Sequence, residues 1–233
     1  MRELSPDRPD TTESPYTVDA GHAQVELSFG EWARTGSAEQ LDVLPFNLKL
    51  GLTNHVDLQF VHAPYERAVG NGRTDQGHGD AQVRLKVNLL GNDGGDLALA
   101  VMPYVTLPVG AQAFSNDDRV EGGLIVPVSF TLPAEFGLSM MAEVDFVRDG
   151  TGGYDTVFVH SASLSHDIVG PLAGFLEYAG FAPVDGDGRY EAYLDAGLTY
   201  KVNDDVVLDA GVNVGLNSAA DDFRVFAGMT WRR

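Results

Sequence analysis

The sequence predicts an all-β chain closed into an antiparallel, up-and-down transmembrane β-barrel of about 12 strands. Three observations carry that prediction. Polar and apolar residues alternate strictly in segments of about ten residues, longer than the five or six usual in soluble strands. These segments recur about a dozen times, and short turns alternate with longer polar links between them. No run of about eighteen apolar residues occurs, so helical spans are excluded while half-apolar barrel strands are not.

Residues 1–20 lack usable periodicity. Pro6, Pro9 and Pro15 break any hydrogen-bond ladder there, so this stretch reads as an extended N-terminal segment ahead of a barrel over 21–233. The first strand sets Ala23, Val25, Leu27 and Phe29 against His22, Gln24, Glu26 and Ser28. The second sets Leu44, Phe46, Leu48 and Leu50 against Asn47 and Lys49, and the third Val56, Leu58 and Phe60 against Asp57 and Gln59. The fourth, over 79–89, is the cleanest: Asp80, Gln82, Arg84, Lys86 and Asn88 oppose Ala81, Val83, Leu85, Val87 and Leu89.

The fifth, sixth and seventh strands are marked by Leu97 to Leu107, Leu124 to Leu132, and Leu138 to Phe146, the last opposite Glu143 and Asp145. Strands over about 155–166 and 172–182 alternate too weakly to assign an inward face. The tenth sets Leu194, Leu198 and Tyr200 against Glu191 and Asp195; the eleventh sets Leu208, Val212 and Val214 against Asp209 and Asn213. The last sets Phe223, Val225, Met229 and Trp231 against Arg224 and Thr230. Turns at 51–54, 91–95, 133–135 and 202–205 are short, whereas 66–78, 108–120, 148–154 and 183–188 are longer polar links. An even strand count leaves both termini on the periplasmic side. Phe29, Trp32, Tyr65, Tyr104, Tyr154, Tyr190, Tyr200 and Trp231 near strand ends suit an aromatic girdle.

With 34 acidic against 15 basic residues, the net charge is −19, which makes nucleic acid a poor partner. Cysteine is absent, excluding disulfides and thiolate metal sites. The six histidines show no metal-ligand spacing on one element, and the Gly-rich stretches lack the Gly-Lys-Ser/Thr of a phosphate loop. The sequence therefore points to no metal and no cofactor. His160-Ser161 and His166-Asp167 are the adjacent pairs closest to nucleophile chemistry, but neighbours on a strand point to opposite faces. No catalytic residue is expected.

The lumen carries the sharper reading. An Arg or Lys facing lipid at mid-depth costs about 2–4 kcal/mol, so parity sends the charged face inward. Lys49, Asp57, Asp80, Arg84, Lys86, Glu143, Asp145, Glu191, Asp195, Asp209 and Arg224 are the expected lumen and selectivity residues. Asp7, Arg8, Asp10 and Glu13 would fold in as a plug, the acids pairing with Arg84 and Lys86. The open alternative is that residues 1–20 hang free.

The segments Asp7-Arg8-Pro9-Asp10-Thr11-Thr12-Glu13-Ser14-Pro15-Tyr16-Thr17-Val18 and Gly21-His22-Ala23-Gln24-Val25-Glu26 resemble the opening of a family of outer-membrane transporters, the MetA-pathway of phenol degradation family. Gly51-Leu52-Thr53-Asn54-His55-Val56-Asp57-Leu58-Gln59 and Gly77-His78-Gly79-Asp80, leading into Arg84-Leu85-Lys86, agree with it. The resemblance is specific over about the first ninety residues. It implies an outer-membrane barrel that transports, found near aromatic-compound catabolism, with no defined substrate.

The chain is thus expected to be a bacterial outer-membrane channel for passive uptake of small molecules, aromatic or hydrophobic compounds among them. Its expected partners are outer-membrane lipid, the solute, and the barrel assembly machinery during biogenesis. A non-transporting structural barrel is the alternative reading, followed by a barrel enzyme acting on outer-leaflet lipid. No apolar stretch follows Met1, so a mature form bearing an added start Met is expected. At the other end Trp231 is in phase for an aromatic assembly signal, which Arg232-Arg233 displaces.

Overall fold

The computed structural model describes residues 1–115 and 118–233. Its strands are β1 (Ala23–Thr35), β2 (Ala38–Val43), β3 (Phe46–Thr53), β4 (Val56–His62), β5 (Tyr65–Gly70), β6 (Arg73–Gly77), β7 (Ala81–Leu90), β8 (Leu97–Leu107), β9 (Glu121–Thr131), β10 (Gly137–Arg148), β11 (Tyr154–Val169), β12 (Leu172–Pro183), β13 (Glu191–Asn203), β14 (Val206–Gly215) and β15 (Phe223–Arg232). All pairings are antiparallel, and β15 pairs with β1 to close the ring. Closure removes the free edges that a bilayer cannot tolerate.

The described segments form a closed 12-strand barrel because three of its strands are each broken in two. β3 pairs with the start of β1, Ala23–Leu27, and β2 with its end, Glu31–Thr35. β2 and β3 are therefore halves of one strand, interrupted at Leu44, whose φ is 56°, and Pro45. β4 and β5 break likewise at Ala63-Pro64, and β6 and β7 at residues 78–80. Proline supplies no N–H to a ladder, so two of the three breaks fall where pairing could not continue.

Residues 66–78 are consequently not the loop that their polarity suggests. β5 pairs with β2 and β6 with β5, extending the sheet past the breaks at the long-loop end. Polar side chains occupy both faces of this extension, so alternation offers no apolar face to detect. A second departure from simple parity lies in β1, where the register with β15 shifts between Ser28 and Gly30. A bulge there moves the inward face from even to odd positions. Glu31 consequently reaches the interior, where Arg8 approaches it to 3.6 Å.

The apolar faces look outward. Leu176, Leu198, Phe146 and Leu208 are exposed, as lipid-facing residues of a barrel are. Exposed Trp231 and Tyr200 stand near the short-turn end, and Tyr154 and Tyr190 near the long-loop end, the arrangement of an interfacial girdle. Tyr104 does not belong to it: its hydroxyl donates to Asp145 inside the barrel. The packed core is itself a patch of the inner wall, formed by Met102, Ile125, Met141 and Val159 from β8 to β11. Both termini lie at the short-turn end, where Ala23 and Arg233 exchange backbone hydrogen bonds of 2.8 Å.

Candidate functional site

Inside the ring runs the N-terminal segment. Its entry is fixed by Gly51, where any Cβ would collide with the Asp19 carbonyl, so only glycine lets the segment cross that close. The Val18 N–H donates to Asp57 at 3.0 Å, and the Thr17 N–H to Asn92 at 3.0 Å. Asn88 donates to the Pro15 carbonyl at 2.8 Å, which satisfies an acceptor buried inside the barrel. Arg232, on the last strand, donates to the Arg2 carbonyl at 3.0 Å and so ties the segment's start to the chain's end.

One wall holds the segment by opposite charge. The Lys86 Nζ donates to both oxygens of Asp7, at 2.6 and 2.9 Å. Lys49 pairs with both Asp7 and Glu26, and Arg84 pairs with Glu13. Lys86 and Asp57 are fully buried, and Lys49 almost so. Buried charges of this kind survive only when each finds a partner and its hydrogen bonds.

The facing wall is acidic. Glu143, Asp145, Glu177, Asp195 and Asp209 come from β10, β12, β13 and β14, and Arg8 of the segment is the base that reaches them, at 2.7 Å from Asp209. Arg8 also donates to Ser28 at 2.5 Å, and its guanidinium fills the space over Gly228, where a Cβ would stand 2.5 Å from Nη2. Glu177 is engaged by backbone rather than by charge. It accepts the Thr11 and Thr12 N–H groups at 2.7 and 2.8 Å, while the Thr12 and Ser161 hydroxyls bond to each other at 2.7 Å. Asp10 stands beside the same carboxylate, near Ser163.

Of the lumen residues the sequence suggests, Lys49, Asp57, Arg84, Lys86, Glu143, Asp145, Asp195 and Asp209 line this interior with Asp7, Arg8, Asp10 and Glu13. Asp80, Glu191 and Arg224 sit at the long-loop rim. Asp80 precedes β7 and accepts from Arg148 and the Gly110 N–H, each at 2.8 Å, pinning the 108–115 stretch against the rim. Glu191 accepts from Tyr193 at 2.9 Å, and Arg224 approaches Asp221 at 3.5 Å. On the exposed loop beyond, the Thr151 and Gly153 N–H groups hold the Asp149 carboxyl down at about 2.

Sequence reasoning misses Glu177, Tyr104, Gly228 and the role of Glu26. Glu26 shares parity with Gln24 and Ser28, which is a usable signal. Glu177 gives none, because its inward neighbours Phe175, Ala179 and Phe181 blur the alternation. His160 and Ser161 do point to opposite faces: Ser161 bonds to Thr12 inside, and His160 stacks on Tyr190 outside.

A cavity of about 480 Å³ lies against the two ends of the segment, lined by Arg2, Leu4, Tyr16, Thr17 and Asn92, and two smaller ones flank its middle. One of these, about 200 Å³, lies toward the break at Pro45; the other, of about 190 Å³, is lined by Ser129, Ser139, Ser165 and Phe175 near the short-turn end. Arg8 and Asp10 border both, so the turn at 8–10 is the partition between them.

The family described as "Putative MetA-pathway of phenol degradation" matches residues 6–233. No curated protein matches the sequence. Among solved structures, an outer membrane channel from Pseudomonas putida F1 is similar at a TM-score of 0.74 and 11% identity, over 97% of this chain and 99% of that one. The NanC porin follows at 0.62 and 10% identity, over 90% and 98%. The CymD monoaromatic hydrocarbon channel reaches 0.51 at 7% identity, over 93% and 89%. These likenesses establish the barrel fold.

Proposed function

This chain belongs to the MetA-pathway of phenol degradation family, and from that premise we propose that it is an outer-membrane channel for passive entry of small molecules, hydrophobic and aromatic compounds among them. The observation that carries the reading is the interior: a closed barrel in which an inserted segment separates two small cavities and is held by hydrogen bonds and ion pairs, with no disulfide. A lumen filled this way passes ions poorly and passes a larger solute when the segment yields. The family's link to phenol degradation and the likeness to the CymD monoaromatic hydrocarbon channel support monoaromatic compounds as the solute class.

Residues 1–20 act as the plug in this reading, and the charged wall sets selectivity. The short-turn end with both termini faces the periplasm, and the lipid-facing surface meets outer-membrane lipid. The protein turns over no substrate chemically; solute moves down its gradient.

Planar-bilayer recording and liposome uptake test the proposal together. The intact chain is expected to show small conductance steps, and a variant lacking residues 2–20 steps several-fold larger, with faster uptake of a monoaromatic acid. If neither form conducts or admits the solute, the structural-barrel reading takes its place.

A further inference from the structure

The two arginines that follow Trp231 face opposite sides of the barrel wall. Arg232 turns inward, is buried, and is committed to the Arg2 carbonyl and to Asp205, at 3.0 Å each. Arg233 lies one position further along an alternating strand, so it shares the lipid-facing side with Trp231. Its N–H and its carbonyl both bond to Ala23 at 2.8 Å, which fixes the backbone and leaves the side chain to move. Arg2, Lys201 and Arg232, also at the short-turn end, each pair with an aspartate. Among the described residues no carboxylate pairs with the Arg233 side chain.

Beside it a recess of about 350 Å³ opens at the seam where β15 and β3 flank β1. Val25, Leu50 and Trp231 form its apolar walls, the last two 41% and 43% exposed. Gly21 and Gly51, joined by a 2.9 Å hydrogen bond, add no side chain to fill it. His22 and Arg233 complete the lining, and no acid takes part. That sets it apart in a chain of 34 acids and 15 bases. The rim cavity at Glu39, the two lumen cavities and the cavity at Asp93 all carry carboxylates.

We propose that this recess seats an anionic phospholipid of the periplasmic leaflet, with an acyl chain on Val25, Leu50 and Trp231 and the headgroup phosphate on the Arg233 guanidinium. Interfacial tryptophan marks the depth of the headgroups. Two residues further along a strand is about 6–7 Å, so Arg233 stands among phosphates and not in hydrocarbon. Phosphate is the anion available there, and a guanidinium binds its oxygens in pairs. The apolar walls point to a lipid as the source of that phosphate, since a free ion would leave them uncovered. The net charge of −19 repels anions from the chain as a whole. Charges beyond about 8 Å are largely screened at physiological salt, so the local guanidinium decides. The inference takes from the proposed function only the orientation of the barrel, and stands apart from what the channel carries.

The chain has two tryptophans, so Trp32→Phe leaves Trp231 as the sole reporter. The full-length variant is reconstituted in phosphatidylcholine vesicles that carry a minor share of brominated phosphatidylglycerol or, in parallel, of brominated phosphatidylcholine. Quenching of Trp231 should be about two- to five-fold stronger with the anionic lipid, the range expected of one cation near a headgroup. Added Arg233→Gln should bring the two lipids to equality. Added Lys201→Gln, at the same end of the barrel but outside the recess, should leave the preference intact. Equal quenching in the Trp32→Phe chain, which alters nothing near the recess, overturns the proposal. So does a preference that survives Arg233→Gln, or one that Lys201→Gln abolishes as well, since either would belong to the surface at large.

Discussion

The two walls of the lumen solve the same problem in opposite ways. The β3–β4–β7 wall offers Lys49, Lys86 and Arg84 to the acids of the inserted segment, and these charge pairs stand beside the bonds that Asp57 and Asn88 make to its backbone. The β10–β14 wall offers five acids and receives one arginine, so its grip on the segment comes mainly from backbone N–H groups and hydroxyls. A buried pair is costly to break by halves, whereas a hydrogen-bonded carboxylate tolerates change of its charge. The first wall therefore anchors, and the second is where movement begins.

The contrast is broken most severely at the anchor. Replacing Lys49 and Lys86 together by Met leaves Asp7 and Glu26 buried without a cation, at about 3–5 kcal/mol for each broken pair. The expected result is loss of docking while the barrel persists: heat-modifiable gel migration unchanged, protease cleavage before residue 20, and conductance like that of the chain lacking residues 2–20. A segment that stays protected in this variant would show the acidic wall to be sufficient on its own.

Arg8 tests the second wall with a smaller step. Arg8→Met removes a charge-assisted contact worth about 1.5–3 kcal/mol and leaves the buried Asp209 without its cation. Conductance should become noisier, with brief openings, instead of opening fully. An effect as large as that of the double lysine variant would erase the distinction between the walls.

How far the sequence reached follows the same division. The lipid imposes an apolar outer face on every spanning strand, so strand number, rhythm and the inward parity of Lys49, Arg84 and Lys86 could be read from alternation alone. Where lipid is absent the code fails, as in β5 and β6 beyond the breaks, whose polar faces resemble a loop. The inner wall is free of that constraint too. Met102, Ile125, Met141 and Tyr104 point inward without violating any rule that sequence can express, and Glu177 hides among them. The counterparts of Asp7 and Arg8 across the lumen depend on ring closure, which no local pattern records.

Selectivity offers a milder test. Glu143 and Asp145 face inward near Arg84 and Glu13, so Glu143→Gln with Asp145→Asn takes two carboxyls from the acidic wall and leaves Lys49, Lys86 and Arg84 in place. In the chain lacking residues 2–20, reversal potentials under a salt gradient should show cation preference falling about two- to three-fold, an estimate scaled to loss of two of several lumen acids. Unchanged selectivity would place the permeation path away from β10.

The smallest effect is expected where neither wall reaches, in the extension beyond the breaks. Glu66 on β5 is pushed up to about 7 by burial and then by the neighbouring Asp42 and Asp80 carboxylates. Its folded state thus binds a proton more tightly than the unfolded chain does. The β5–β6 hairpin should be most stable below about pH 4.5 and lose that contribution as pH rises through about 7. Hydrogen-exchange protection factors for β5 and β6, corrected for intrinsic rates, should fall over that window in the wild type and stay level in Glu66→Gln. The same profile measured in the spanning strands should be flat for both proteins, because their ladders are closed on both sides and β6 has a free edge. A fall shared by the whole barrel would mean that the breaks at Pro45 and Pro64 do not separate the extension from the ring.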